Sequence, residues 1–211
     1  ENSIGRADAI VLAGGSAYGL DASSETQDLL RQDKKGYQLG EAIIPLVPSA
    51  VIFDLNINEN PHVNKIGEKS PWRQLANEAY KSIGQNFPLG SHGAGLGATT
   101  ATLKGGQGSA SWTQKYSNGK EYTVGAIVIN NAVGNPLMNS GPHFLSGYLE
   151  LENEFGGFGA SNENYDYILR AKRLPSSTGI ANTFNNIASN TVIGVVATDA
   201  PLSRTNLKRL A

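Results

Sequence analysis

Asn190-Thr191, heading the run NTVIGVVATDAPL from Asn190 to Leu202, is the pair whose types and order carry the most chemistry. If the peptide bond between them were cut, Thr191 would begin a new chain with an α-amine beside its own hydroxyl. Such an amine titrates near about 7.7–8.0, so a useful fraction is neutral at physiological pH and takes the hydroxyl proton as the oxygen attacks. The backbone itself would then supply the base. Read plainly, the same Thr191 is a β-branched opening to an apolar strand and needs no chemistry.

Other groups are weighed in the same way. Asn131 ends an apolar strand, where a rigidly held amide would donate to an oxyanion, although an Asn shortly before Gly134 also suits a turn. Lys104, between Leu103 and Gly105-Gly106, either points into a cleft or is a surface lysine. GGSAYG (Gly14 to Gly19) fails the spacing of a nucleophile elbow, because Tyr18 stands two residues after Ser16. GAGLGA (Gly93 to Ala98) follows no strand and has no acidic partner at the right distance, which argues against a dinucleotide site. His62, His92 and His143 are too widely spaced for a helical metal pair. Glu150, Glu152 and Glu154 alternate as on the wet side of a strand.

Composition narrows the class. With 211 residues, one domain with a substantial core is expected over 1–211, and a formal charge of −1 leaves no footprint for nucleic acid or an anionic membrane surface. Absent cysteine removes disulfides, thiolate nucleophiles and sulfur-ligated zinc. No apolar run approaches the roughly 20 residues that span a bilayer, so a soluble chain is expected. The start at Glu1 without Met, and the stop at Ala211 inside a helical pattern, suggest an excerpt truncated at both ends.

The elements that must position these groups follow from pattern. A short strand from Ala9 to Leu12 runs into Gly14-Gly15, and a helix follows from Leu20 to Lys35 with Gly36 as its stop. Pro45 and Pro48 confine any strand in Ile43–Leu55 to an edge or to the part after Pro48. Ser70 and Pro71 open a helix reaching Gly84, with Leu75, Ala79 and Ile83 spaced by four. Strands are expected over Ala98–Leu103 and Tyr122–Asn130, the second covered on both faces, with a hairpin turn at Ser117-Asn118-Gly119-Lys120. Gly134 to Asn190 reads as an excursion with one helix within Ser161–Leu174. A buried-type strand over Thr191–Thr198 then leads to a helix capped by Ser203, with Leu207 and Leu210 inward.

Five ordered blocks carry a resemblance: GGSAYGLDA (Gly14 to Ala22), VPSAVIFDL (Val47 to Leu55), GAGLGATTATLKGGQGSAS (Gly93 to Ser111), TVGAIVINNAVGN (Thr123 to Asn135), and TVIGVVATDAPL with LKRLA (Thr191 to Ala211). Together they resemble the L-aminopeptidase/D-esterase peptidases, a family that includes β-aminopeptidases and nylon-oligomer hydrolases. The resemblance implies an α/β fold, an αββα four-layer sandwich of the N-terminal-nucleophile type, made as a precursor that cuts itself before Ser or Thr. It implies cleavage between Asn190 and Thr191, with Thr191 as nucleophile of an amide hydrolase and Asn131 polarising the substrate carbonyl. Lys104 matches the active-site lysine of the nylon-oligomer branch, and Phe53 and Tyr18 are expected to line the substrate pocket.

Thr at the nucleophile and Ala50 where aminopeptidase members carry an acid tilt the reading toward that branch. Phe53 replaces the tyrosine of its pocket, and further catalytic residues of the family fall beyond Ala211. The expected partner is a peptide or oligoamide, with no cofactor or metal, no nucleic acid and no membrane. Processed α/β heterodimers are expected to form a homo-oligomer, in the cytoplasm or the periplasm. An acyltransferase of the ornithine acetyltransferase type, or an inactive binding or assembly protein, is the alternative.

Overall fold

The computed structural model describes residues 5–55, 69–101, 103–138, 141–162 and 191–210. In chain order its elements are β1 (Val11–Ala13), α1 (Asp21–Gln32), β2 (Tyr37–Leu39), β3 (Ala42–Ile44), β4 (Ser49–Val51), α2 (Pro71–Lys81), β5 (Gly106–Lys115), β6 (Glu121–Asn131), β7 (Thr191–Thr198) and α3 (Arg204–Leu210). β1 and β4 pair in parallel, with Leu12 opposite Ala50. Successive side chains of a strand point to opposite faces. Val11, Ala13 and Val51 therefore pack with Ala22, Trp72 and Ala76 of the two helices. Leu12, and Ile52 just past β4, pack the other way against Ala94, Ala98, Ile129 and Ile193. The order of layers is helices, small sheet, then the sheet β5-β6-β7.

The helices keep their expected places but not all of their expected faces. A 3-10 turn over Ser16–Leu20 feeds α1, which buries Ala22, Thr26, Leu29 and Leu30. Its stop comes before Gly36: Lys34 takes the left-handed conformation, its N–H bonds to Arg31 O, and Lys35 N–H reaches back to Leu30 O. That pair of bonds is the Schellman closure, here on a lysine in place of glycine. In α2, Pro71 holds the first position as expected, yet Ser70 makes no capping bond and its buried Oγ has no partner among the described residues. The inward residues of α2 are Trp72 and Ala76, while Leu75 and Ile83 are exposed. A single indole against Gly15, Ala13 and Ala22 fixes the rotation of the helix more strongly than the row of Leu75, Ala79 and Ile83 does.

Pro45 ends the β2–β3 hairpin and β4 begins directly after Pro48, as the prolines require. The strand expected over Ala98–Leu103 is a turn. Thr100 N–H donates to Leu103 O and Gly105 N–H to Ala98 O, and the long strand β5 starts only at Gly106. Gly105 permits this fold-back, since a Cβ there would collide with the Asn130 carbonyl oxygen. The β5–β6 hairpin turns through Gly119, as the Asn118-Gly119 pair predicts.

Among the described residues, β6 and β7 are covered on one face only. Ile129 and Ile193 face the small sheet, whereas Val128, Val192, Val196 and Trp112 on the opposite face are exposed. Both α1 and α2 sit on the β1–β4 side, which leaves that face without a helix among the described residues. Leu207 and Leu210 of α3 are likewise exposed instead of inward, although Asn206 N–H does reach Ser203 Oγ.

Of the excursion, the described part is loop and turn. Phe144 stacks on Phe155 at 5.0 Å, and Glu150 sits in a turn where it accepts Phe155 N–H and Gly157 N–H, so the three glutamates do not share a strand face. The expected helix of Ser161–Leu174 lies almost wholly outside the described residues, as do Asn190 and His62. Among the described residues no helix is long and apolar enough to cross a membrane.

Candidate functional site

The antiparallel register of β6 and β7 sets Asn131 directly opposite Thr191. Two residues along, Ile129 faces Ile193; Ile129 belongs to the buried cluster between the sheets and Ile193 packs against it. Side chains two apart share a face, so Asn131 and Thr191 also point into the layer between the sheets, with Cβ atoms about 4.5–5.5 Å apart as in any directly opposed pair. Asn131 is 0% exposed and Thr191 is half-buried at the head of β7.

Asn131 is held from both ends of its amide. Nδ2 donates to Phe53 O at 2.9 Å, and Oδ1 accepts Thr99 N–H at 3.0 Å. One partner accepts only and the other donates only, so the orientation of the amide is fixed. This arrangement makes Asn131 the junction of three segments: the end of β6, the stretch after β4 and the glycine-rich turn.

Lys104 stands at that turn, bridged through its backbone to Thr99, and is exposed. Phe53 is half-buried and contributes its carbonyl to Asn131. Tyr18 stacks on Trp72 at 6.1 Å in the helix-side layer, so it stands apart from the Asn131–Thr191 pair. Ala50 pairs with Leu12 within the small sheet. His143 bonds the Gly159 carbonyl and packs edge-on to Phe158, in the excursion. Among the described residues there is no group of three or more His, Cys, Asp or Glu placed to hold a metal ion.

A hollow of about 170 Å³ opens beside the end of β6, lined by Thr100, Asn130, Ala132 and Pro136 among others. A larger one of about 630 Å³, between Arg6 and α3, holds none of the residues above, and the smaller hollow is the one that adjoins the site.

One residue beside the site has no reading from sequence alone. Asp54 follows Phe53, and its Oδ1 accepts Gly15 N–H at 2.6 Å. Burial, the largest influence, pushes its carboxyl above the usual aspartate value against the lowering effect of the Gly15 bond. A Cβ on either Gly14 or Gly97 would collide with Asp54 Oδ2. In the sequence, the Asp near the end of VPSAVIFDL looks like an ordinary strand end; the spatial neighbours Gly14, Gly15 and Gly97 single it out.

Comparisons with known proteins bear on the family and the fold. An uncharacterized aminopeptidase of Mycobacterium leprae is 36% identical over 216 residues, covering 100% of the chain and 54% of the relative. Another, from Mycobacterium bovis, is 33% identical over 210 residues, covering 100% and 55%. A 6-aminohexanoate-oligomer endohydrolase of Kocuria sp. matches at the lower identity of 26% over 213 residues, covering 96% and 52%. The chain thus spans about half the length of the curated relatives it matches.

Among solved structures, the L-aminopeptidase D-Ala-esterase/amidase of Ochrobactrum anthropi superposes with a TM-score of 0.53 at 19% identity, covering 94% of this chain and 45% of that one. A Pyrococcus horikoshii protein does so with a TM-score of 0.51 at 24% identity, covering 96% and 45%. These likenesses establish the fold as the Ntn-hydrolase variant found in the Ochrobactrum enzyme, and the helix layer and two facing sheets described above are three of the four layers expected of an αββα sandwich. The model of peptidase family S58 matches residues 2–211, and with the sandwich and its five ordered sequence blocks in place the chain belongs to that family.

Proposed function

We propose that the full-length protein is an amide-bond hydrolase that cuts its own chain between Asn190 and Thr191 and then uses Thr191 as an N-terminal nucleophile. The observation that carries this reading is the cross-strand pairing of Thr191 with the fully buried Asn131. In the first step Thr191 Oγ attacks the Asn190 carbonyl carbon. The peptide nitrogen leaves as the new α-amine, and water hydrolyses the resulting ester to free the Asn190 carboxylate. In turnover the α-amine takes the Oγ proton as oxygen attacks the substrate carbonyl, and returns a proton to the departing amine. Water then releases the acyl group from Oγ. Asn131 stabilises the negative charge that develops on the carbonyl oxygen in both reactions.

The names of the relatives support a peptide or oligoamide as substrate, since they include aminopeptidases and an oligomer endohydrolase. Lys104 is proposed to act from the adjoining turn, and Phe53 to present an apolar wall where its ring meets the substrate. The acyltransferase alternative predicts transfer to an added amino acid acceptor in place of hydrolysis.

Intact mass and N-terminal sequencing of the full-length product test the proposal. The wild-type protein is expected as two fragments, one starting at Thr191. Thr191→Ala should remain one polypeptide and hydrolyse nothing, whereas Thr191→Ser should still be processed. A cleaved and active Thr191→Ala protein would refute the assignment.

A further inference from the structure

We propose that Asp54 is the positioning residue of the Asn131–Thr191 site, its carboxylate drawing the Gly14–Gly15 turn and the Gly97 backbone together and so setting the two groups that grip Asn131. The first of those groups is the carbonyl of Phe53, the residue directly before Asp54. The second is the N–H of Thr99, two residues after Gly97. Asp54 therefore stands next to one partner of Asn131 along the chain, and packs against the backbone that leads to the other.

Its contacts call for an oxygen acceptor on a side chain of this length. Oδ1 accepts Gly15 N–H at 2.6 Å, and Oδ2 packs so close to the Gly14 and Gly97 backbone that a Cβ on either would collide with it. Neighbouring backbone bonds close the same junction: Ser16 N–H donates to Ile52 O and Ile52 N–H to Ala13 O, each at 2.9 Å, while Gly105 N–H donates to Ala98 O at 2.8 Å. With Gly15 in the left-handed conformation and crowded by the Trp72 ring, the turn has little room to settle elsewhere. The partial burial that raises the carboxyl's proton affinity agrees with a group walled by backbone instead of solvent. The consequence for catalysis rests on the hydrolase reading above; the consequence for the geometry of Asn131 does not.

The experiment uses the full-length protein labelled with ¹⁵N-asparagine. The side-chain amide signals of Asn131 are assigned by their loss in Asn131→Asp, and self-cleavage is followed by mass in the same samples. Asp54→Ala removes the acceptor and the filler together, Gly14→Ala pushes the carboxylate aside, and Asp54→Asn keeps shape and an acceptor for Gly15 N–H. Asp54→Ala and Gly14→Ala are expected to shift the Asn131 signals and slow self-cleavage about 10–100-fold, with Asp54→Asn close to wild type on both. Asn131 signals that stay at wild-type positions in both Asp54→Ala and Gly14→Ala would overturn the proposal. If the signals respond but the wild-type chain never cuts itself, the positioning role stands and the hydrolase reading fails.

Discussion

The amide of Asn131 ties three segments through two bonds, and its removal has two separable costs. Asn131→Ala leaves Phe53 O and Thr99 N–H without partners, and each orphaned buried group costs about 1–3 kcal/mol. Asn131→Asp keeps the acceptor for Thr99 but turns a carboxylate oxygen toward the Phe53 carbonyl. We expect chemical denaturation to show Asn131→Asp destabilised at neutral pH and partly recovered in acid, where protonation restores a donor. A denaturation midpoint for Asn131→Asp that does not move with pH would contradict the assigned bonds. If Asn131 also stabilises the oxyanion, the folded Asn131→Ala protein should lose about 10²–10³ in turnover. At this scale much was legible: Thr191 and Asn131 each carry a chemical reading from type and position. Asp54 does not, because a lone acidic residue after VIF has no meaning until Gly14, Gly15 and Gly97 surround it.

Among elements, the legible ones are those dictated by proline, glycine pairs or a long apolar period. Pro48 before β4, Pro71 at the head of α2 and the Asn118-Gly119 hairpin all follow from backbone constraint. The Ala98–Leu103 segment misleads because its β-suited residues are overruled by a turn that only Gly105 permits, with its α-carbon against the Asn130 carbonyl. We expect Gly105→Ala to break that packing and loosen the start of β5, seen as faster amide exchange at Gly106 and Gln107 than in α1. Trp72 misleads in another way, since one large ring outweighs the row of Leu75, Ala79 and Ile83. Trp72→Ala should cost about 3–5 kcal/mol by denaturant unfolding, against under 1 kcal/mol for the exposed Leu75→Ala.

Across the described residues, carboxylates of opposite temperament shape the acid response, Asp54 and Asp8 among them. Burial raises the Asp54 pKa, so the native state keeps that proton to higher pH than the unfolded chain does. Its stabilising contribution is full below the ordinary value of 3.8 and is lost as pH climbs through the raised one. Asp8 is lowered by the Leu46 N–H and by Arg6, so its contribution is present above the ordinary value and is lost as pH falls. The stability of Asp54→Asn relative to wild type should therefore increase as pH rises through that first window, as urea titrations at several pH values would show. A constant difference would argue against a buried carboxylate. The layer order was legible from the family resemblance, while the outer face of β6 and β7, bare among the described residues, was not, since an unbroken apolar run says nothing about which side is covered. Finally, β7 meets β6 at every one of its 8 residues, beginning with Thr191. A break just before that residue severs no rung of the ladder, so the liberated terminus would remain moored and the two halves should migrate as a single species under native conditions, separating only when denatured.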